Sequence, residues 1–159
     1  MQTIVNEYPP NILEINGEFH TVGDRVIYSY GSVIYNPMGE FIPPQLVAHE
    51  GVHGTRQEQF DVPMGNEQPL IPGDTPIAAW WRVYLMNRRF RLAEETLAHR
   101  AEYRYLRTHG TRHQRRSALS TVSQRLASNL YGGLVKKSQA RDLIDMSDYE
   151  LGIIMRGLI

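Results

Sequence analysis

The chain has no cysteine, no net charge at neutral pH and no proline beyond Pro76. Without cysteine the fold uses no disulfide, which suits a cytosolic protein and does not exclude a secreted or virion one. Seventeen basic side chains balance seventeen acidic ones, so no electrostatic case exists for nucleic acid as the main partner. The basic run Arg112-His113-Gln114-Arg115-Arg116 reads as a solvated loop or helix start. No apolar run is long enough to span a membrane, and Met1-Gln2-Thr3-Ile4-Val5-Asn6-Glu7 lacks the basic start and apolar stretch of a signal peptide. Internal repeats and low-complexity segments are also missing. What remains, 159 residues with 42% hydrophobic content, predicts one domain over residues 1–159 with a real core.

The most informative stretch is Leu46-Val47-Ala48-His49-Glu50-Gly51-Val52-His53, one copy of His-Glu-x-x-His. On a helix, two histidines four apart stand one turn above each other on the same face. Both imidazoles then reach a single Zn²⁺, and the glutamate beside the first is placed as the base for the water the ion activates. Pro43-Pro44 suits a helix start. Gly51 and Gly54 each cost about 1 kcal/mol against alanine inside a helix; they either let a strand or substrate approach closely or leave the helix short. The plainer alternative is a solvated helix with two histidines and no metal.

A zinc site needs a third protein ligand and an open position. Residues 91–103 read as helix, rich in good helix formers and free of Gly and Pro. Glu95, His99 and Glu102 fall on one side of it. A carboxylate there completes a two-imidazole site, with Glu95 the first candidate and Glu94 its neighbour. Surface charges pairing with nearby arginines are the bland alternative.

With these residues the chain resembles the gluzincin zinc metallopeptidases. Val47-Ala48-His49-Glu50-Gly51-Val52-His53-Gly54-Thr55-Arg56-Gln57, followed by Glu94-Glu95-Thr96-Leu97-Ala98-His99, is similar to short single-domain metallopeptidases of phages and prophages. The resemblance covers roughly residues 25 to 105. It implies His49, His53 and Glu95 as zinc ligands, Glu50 as the base and His99 as the support of a ligand histidine. His99 or Tyr103 is the candidate for stabilising the oxyanion. It departs from the family at Gly51, where many zinc peptidases carry a large apolar residue.

The predicted fold class is α+β and zincin-like: a small N-terminal antiparallel sheet, the His-Glu-x-x-His helix, a glutamate-ligand helix and a helical last third. Residues 12–15 and 18–22 flank Asn16-Gly17, a two-residue hairpin signal. Residues 25–30 and 33–36 follow as strands with a bend near Gly31. The last strand before the helix, Val33, Ile34, Tyr35 and Asn36, is the expected sheet edge for an extended peptide substrate. Residues 61–76 form a long loop of the kind that borders clefts, and residues 77–86 a helix with core-facing tryptophans. Leu119, Val122, Leu126 and Leu130 make one apolar stripe ended by Gly132-Gly133. Ser138 begins a short helix, and Ser147-Asp148-Tyr149-Glu150 is a capping box for a last one. His109 and His113, four apart but separated by Gly110, read as a loop.

The expected function is hydrolysis of peptide bonds in a peptide or protein substrate with Zn²⁺ as cofactor. No nucleic acid or membrane partner is expected, and the location is a host cytoplasm or a virion. The alternative is a zincin-like module whose metal is structural or whose activity is lost, acting as a phage structural or inhibitory binding protein.

Overall fold

Asn16-Gly17 does not turn a hairpin. In the computed structural model, which describes residues 2–19, 25–61 and 74–156, Ile12–Glu18 is a helix, α1. A type I′ hairpin turn needs positive φ at both central residues, and neither Asn16 nor Gly17 has it. The turn from Pro9 sets the helix up instead: Ile12 N donates to Pro9 O and Ile15 N to Asn11 O, both at 3.1 Å. Ile15 is the one buried residue of α1, so a single apolar anchor holds these two turns of helix. Residues 20–24, with His20, lie outside the described residues, as do residues 62–73 of the long loop.

The sheet has three strands, β1 (Thr3–Val5), β2 (Tyr28–Tyr30) and β3 (Val33–Tyr35), in the order β1-β3-β2. It is mixed rather than antiparallel. β3 pairs β2 antiparallel, with Ser29 opposite Ile34, and β1 parallel, with Ile4 opposite Ile34. The expected edge strand is therefore the central one. The bend expected near Gly31 lies between β2 and β3, but nothing local in the sequence announced that Thr3–Val5 would cover the other side. Gly31, at φ +59°, makes the sharp turn between β2 and β3.

Seven α-helices carry the rest of the described chain, so the fold is α+β and mostly helical. α2 (Pro44–Glu58) holds the His-Glu-x-x-His residues. α3 (Pro76–Met86) starts one residue before the expected helix, taking Pro76 from the expected loop into its first turn, with the Thr75 hydroxyl accepting from Ala78 N at 3.2 Å. α4 (Arg88–His109) runs well past the expected segment. α5 (Arg112–Leu126) opens on a capping box between Thr111 and Gln114. It ends at Leu126, so Leu130 drops out of the apolar stripe and stands exposed within a 3₁₀ turn, Asn129–Tyr131. α6 (Lys137–Asp145) is capped at Lys136 by the Gln139 side chain rather than by Ser138. α7 (Asp148–Arg156) has the expected Ser147–Glu150 box.

The chain divides into two compact units. Residues 1–41 and 50–87 form the first, which holds the sheet, α1 and α3. Its buried apolar residues include Ile34, Tyr28, Trp80 and Tyr84, with Trp80 stacked on Tyr84 at 4.8 Å. Residues 42–49 and 88–159 form the second. Its core joins Leu106 of α4, Val122 and Leu126 of α5, and Ile144 of α6. Burying each such side chain stabilises the fold by about 1.5–3 kcal/mol. Among the described residues no helix is long and apolar enough to cross a membrane.

Candidate metal centre

α2 is fixed in rotation by its glycine face. A Cβ on Gly54 would stand 2.3 Å from the Gly31 carbonyl oxygen, so only glycine lets the β2–β3 turn reach the helix there. Next to it, buried Gln57 accepts from Gly31 N at 2.7 Å and donates to Ser29 O at 3.1 Å. Of the two readings of these glycines, close approach of a strand is the one the geometry supports. At about 100° per residue, Gly51, Gly54 and Glu58 lie on the side of α2 opposite His49 and His53. A cavity of about 330 Å³ lined by Gln2, Gly31, Gly51, Gly54 and Glu58 opens on that glycine side, away from the histidines.

His49, Glu50 and His53 are all buried. Within the first unit, the His53 ring meets Trp80 edge-on at 5.6 Å and Tyr84 at 6.3 Å. Its imidazole is thus walled by aromatic rings, which restricts its rotamers.

α4 turns a charged face inward. Arg91, Glu94, Glu95, His99, Arg100 and Glu102 are buried on this one helix. Buried charge is costly unless paired, so these side chains are not the solvated stripe of a surface helix. Glu95, His99 and Glu102, at helical spacing, gather about His49 in the second unit. His49 Nε2 lies 3.6 Å from Glu95 Oε2, and His49 Nδ1 lies 3.9 Å from Glu102 Oε2. The His49 and His99 rings meet edge-on at 4.5 Å. His99 Nδ1 is 3.0 Å from Glu102 Oε2, and His99 Nε2 is 3.8 Å from Glu95 Oε2. The other oxygen of Glu102 takes a short hydrogen bond from Arg125 on α5. Gln45, Glu102, Leu106 and Arg125 line a cavity of about 150 Å³ beside this pair.

His49, Glu95 and His99 each present a ligand atom within 4.8 Å of the others, and among the described residues this is the buried group able to hold a metal. Two ligands of one tetrahedral ion, with bonds near 2 Å, stand about 3.3 Å apart. The His49–Glu95 separation fits that with a shift of a few tenths of an ångström. Two imidazoles and a carboxylate are also a donor set that zinc accepts.

Tyr103 is not part of this group. It lies about 80° round α4 from Glu95, and its hydroxyl donates to Asp145 Oδ1 at 3.4 Å. The group the sequence did not reveal is Tyr131, whose hydroxyl lies 3.1 Å from His99 Nε2. Its one signal was the Gly132-Gly133 pair after it, which read as a helix stop. Nothing in the sequence connects that turn with His99. His109 and His113 lie at the end of α4 and the start of α5, both exposed, with His109 stacked on Tyr105. No family model, no curated protein and no solved structure matches this chain.

Proposed function

We propose that the chain is a zinc-dependent peptidase in which His49, His53 and Glu95 hold the ion and Glu50 is the general base. The observation that carries this reading is the 3.6 Å approach of His49 Nε2 to Glu95 Oε2. It joins the first histidine of the His-Glu-x-x-His motif to the one carboxylate the resemblance nominates. His53 enters by its place one turn along the same helix. Glu94, the neighbour on α4, is also buried.

Zinc, when bound, supplies an acidified water and a polarised substrate carbonyl. Glu50 is buried beside His49 and accepts a proton from the attacking water. It returns that proton to the departing amine as the C–N bond breaks, leaving a carboxylic acid and an amine as products. Glu102, held by Arg125, fixes the His99 ring, and His99 in turn packs on His49. Such outer partners set the orientation of ligand rings.

A second reading has a specific observation in its favour. His99 Nε2 is nearly as near Glu95 as His49 is. A metal that took His99 as a further ligand would be closed and structural, and the protein would be a binding module. Metal analysis of the purified protein tests the first reading: one zinc per chain, lost in His49→Ala and in His53→Ala. A folded wild type that takes up no zinc even after loading would refute it.

A further inference from the structure

We infer that Tyr131 is a positioning residue that keeps His99 off the metal, so that one coordination position stays open for substrate; this rests on the zinc reading above. Glu102 is fully buried and accepts from Arg125. A carboxylate so paired only accepts, so His99 Nδ1, 3.0 Å away, carries the hydrogen between them. A neutral imidazole has one N–H. With the ring neutral, Nε2 keeps a lone pair, and the Tyr131 hydroxyl, at 3.1 Å, is placed to donate to it.

That lone pair is the one His99 would give to a metal. Nε2 of His99 is 3.8 Å from Glu95 Oε2, against 3.6 Å for His49. Two imidazoles flank one carboxylate oxygen at nearly equal range, and the His99 nitrogen is occupied by a phenol. The phenol is itself held in place. The Tyr131 ring meets His99 edge-on at 5.6 Å. Gly132 and Gly133, at φ +81° and +62°, turn the chain after it, and their carbonyls accept from Arg88 at 3.1 and 3.3 Å. A metal bound by His49, His53, Glu95 and His99 together would have four protein ligands, the closed pattern of structural zinc. One hydroxyl thus separates an open centre from a closed one.

Tyr131→Phe removes that hydroxyl and keeps the ring. The test measures zinc affinity, and the visible absorption of cobalt(II) bound in its place, which reports ligand number and type. The expected result is zinc bound roughly tenfold tighter or more in Tyr131→Phe, with an altered cobalt spectrum. Adding His99→Ala to Tyr131→Phe should reverse both changes. In the otherwise wild-type chain, His99→Ala should keep two imidazole ligands on bound cobalt, counted from its paramagnetically shifted imidazole N–H signals, an arm that stands even if Tyr131→Phe does not fold. Wild-type affinity and spectrum in folded Tyr131→Phe would overturn the inference alone. So would the loss of an imidazole ligand from cobalt in His99→Ala, because His99 would then already be a ligand. A wild type that takes up neither metal overturns the zinc reading and the inference with it.

Discussion

His49 on α2 and Glu95 on α4 bring Nε2 and Oε2 to 3.6 Å while both side chains are almost wholly buried. A carboxylate and an imidazole held this way are either a salt bridge or two thirds of a metal site. Zinc chemistry distinguishes these two cases, because a metal needs the neighbouring donors that a salt bridge does not.

Glu95→Gln should weaken zinc binding by at least a hundredfold, because a neutral amide is a far poorer ligand. Glu94→Gln should weaken it much less. Competition with a chromophoric chelator measures both. The reverse order of effects would move the third ligand to Glu94 and contradict the register of α4.

The glycine face of α2 gives a prediction with a decisive sign. In an open helix Gly→Ala stabilises by about 1 kcal/mol. Gly54→Ala should instead destabilise by about 2–3 kcal/mol, since its Cβ would overlap the Gly31 carbonyl oxygen, a backbone atom. Gly17→Ala, with nothing within 4 Å of the new Cβ, should stabilise by about 0.5 kcal/mol. Urea melts of the two variants beside wild type read both signs, and a stabilised Gly54→Ala would contradict the close approach.

Much of this arrangement was legible beforehand. The Ser147–Glu150 box and the α2, α3 and α4 helices follow from local chemistry, which acts within a turn or two. The pairing of β1 with β3 did not, because parallel partners far apart in sequence leave no turn signal between them. The Asn16-Gly17 signal misled because a short helix docked by Ile15 outweighed turn propensity. Of the candidate residues, spacing brought out His49 and Glu95, which the second unit draws together. Tyr131 came only from the fold, which returns a 3₁₀ turn to α4.

Asp148 gives the acid-range prediction. A hydrogen bond from Arg100 and the charge of Arg104 hold its carboxyl below its ordinary value near 3.8, although the group is exposed. A lowered folded value means that the stabilisation is present above the unfolded pKa and is lost as pH falls through the folded one. Asp148→Asn should therefore be less stable than wild type at neutral pH, and the gap should close as pH falls below about 3.8. Denaturant melts across that range check it; a gap that persists at the acid end would assign the effect to packing.

The most direct test is Glu50→Gln, compared with wild type at equal, measured zinc occupancy in a digest of an unfolded protein or peptide library. Glu50 is a base and not a ligand in this account. The variant should keep its fold and its zinc and lose peptide hydrolysis by several orders of magnitude, and chelation should silence the wild type. Cleavage that survives the substitution at full zinc occupancy would contradict the proposed mechanism outright.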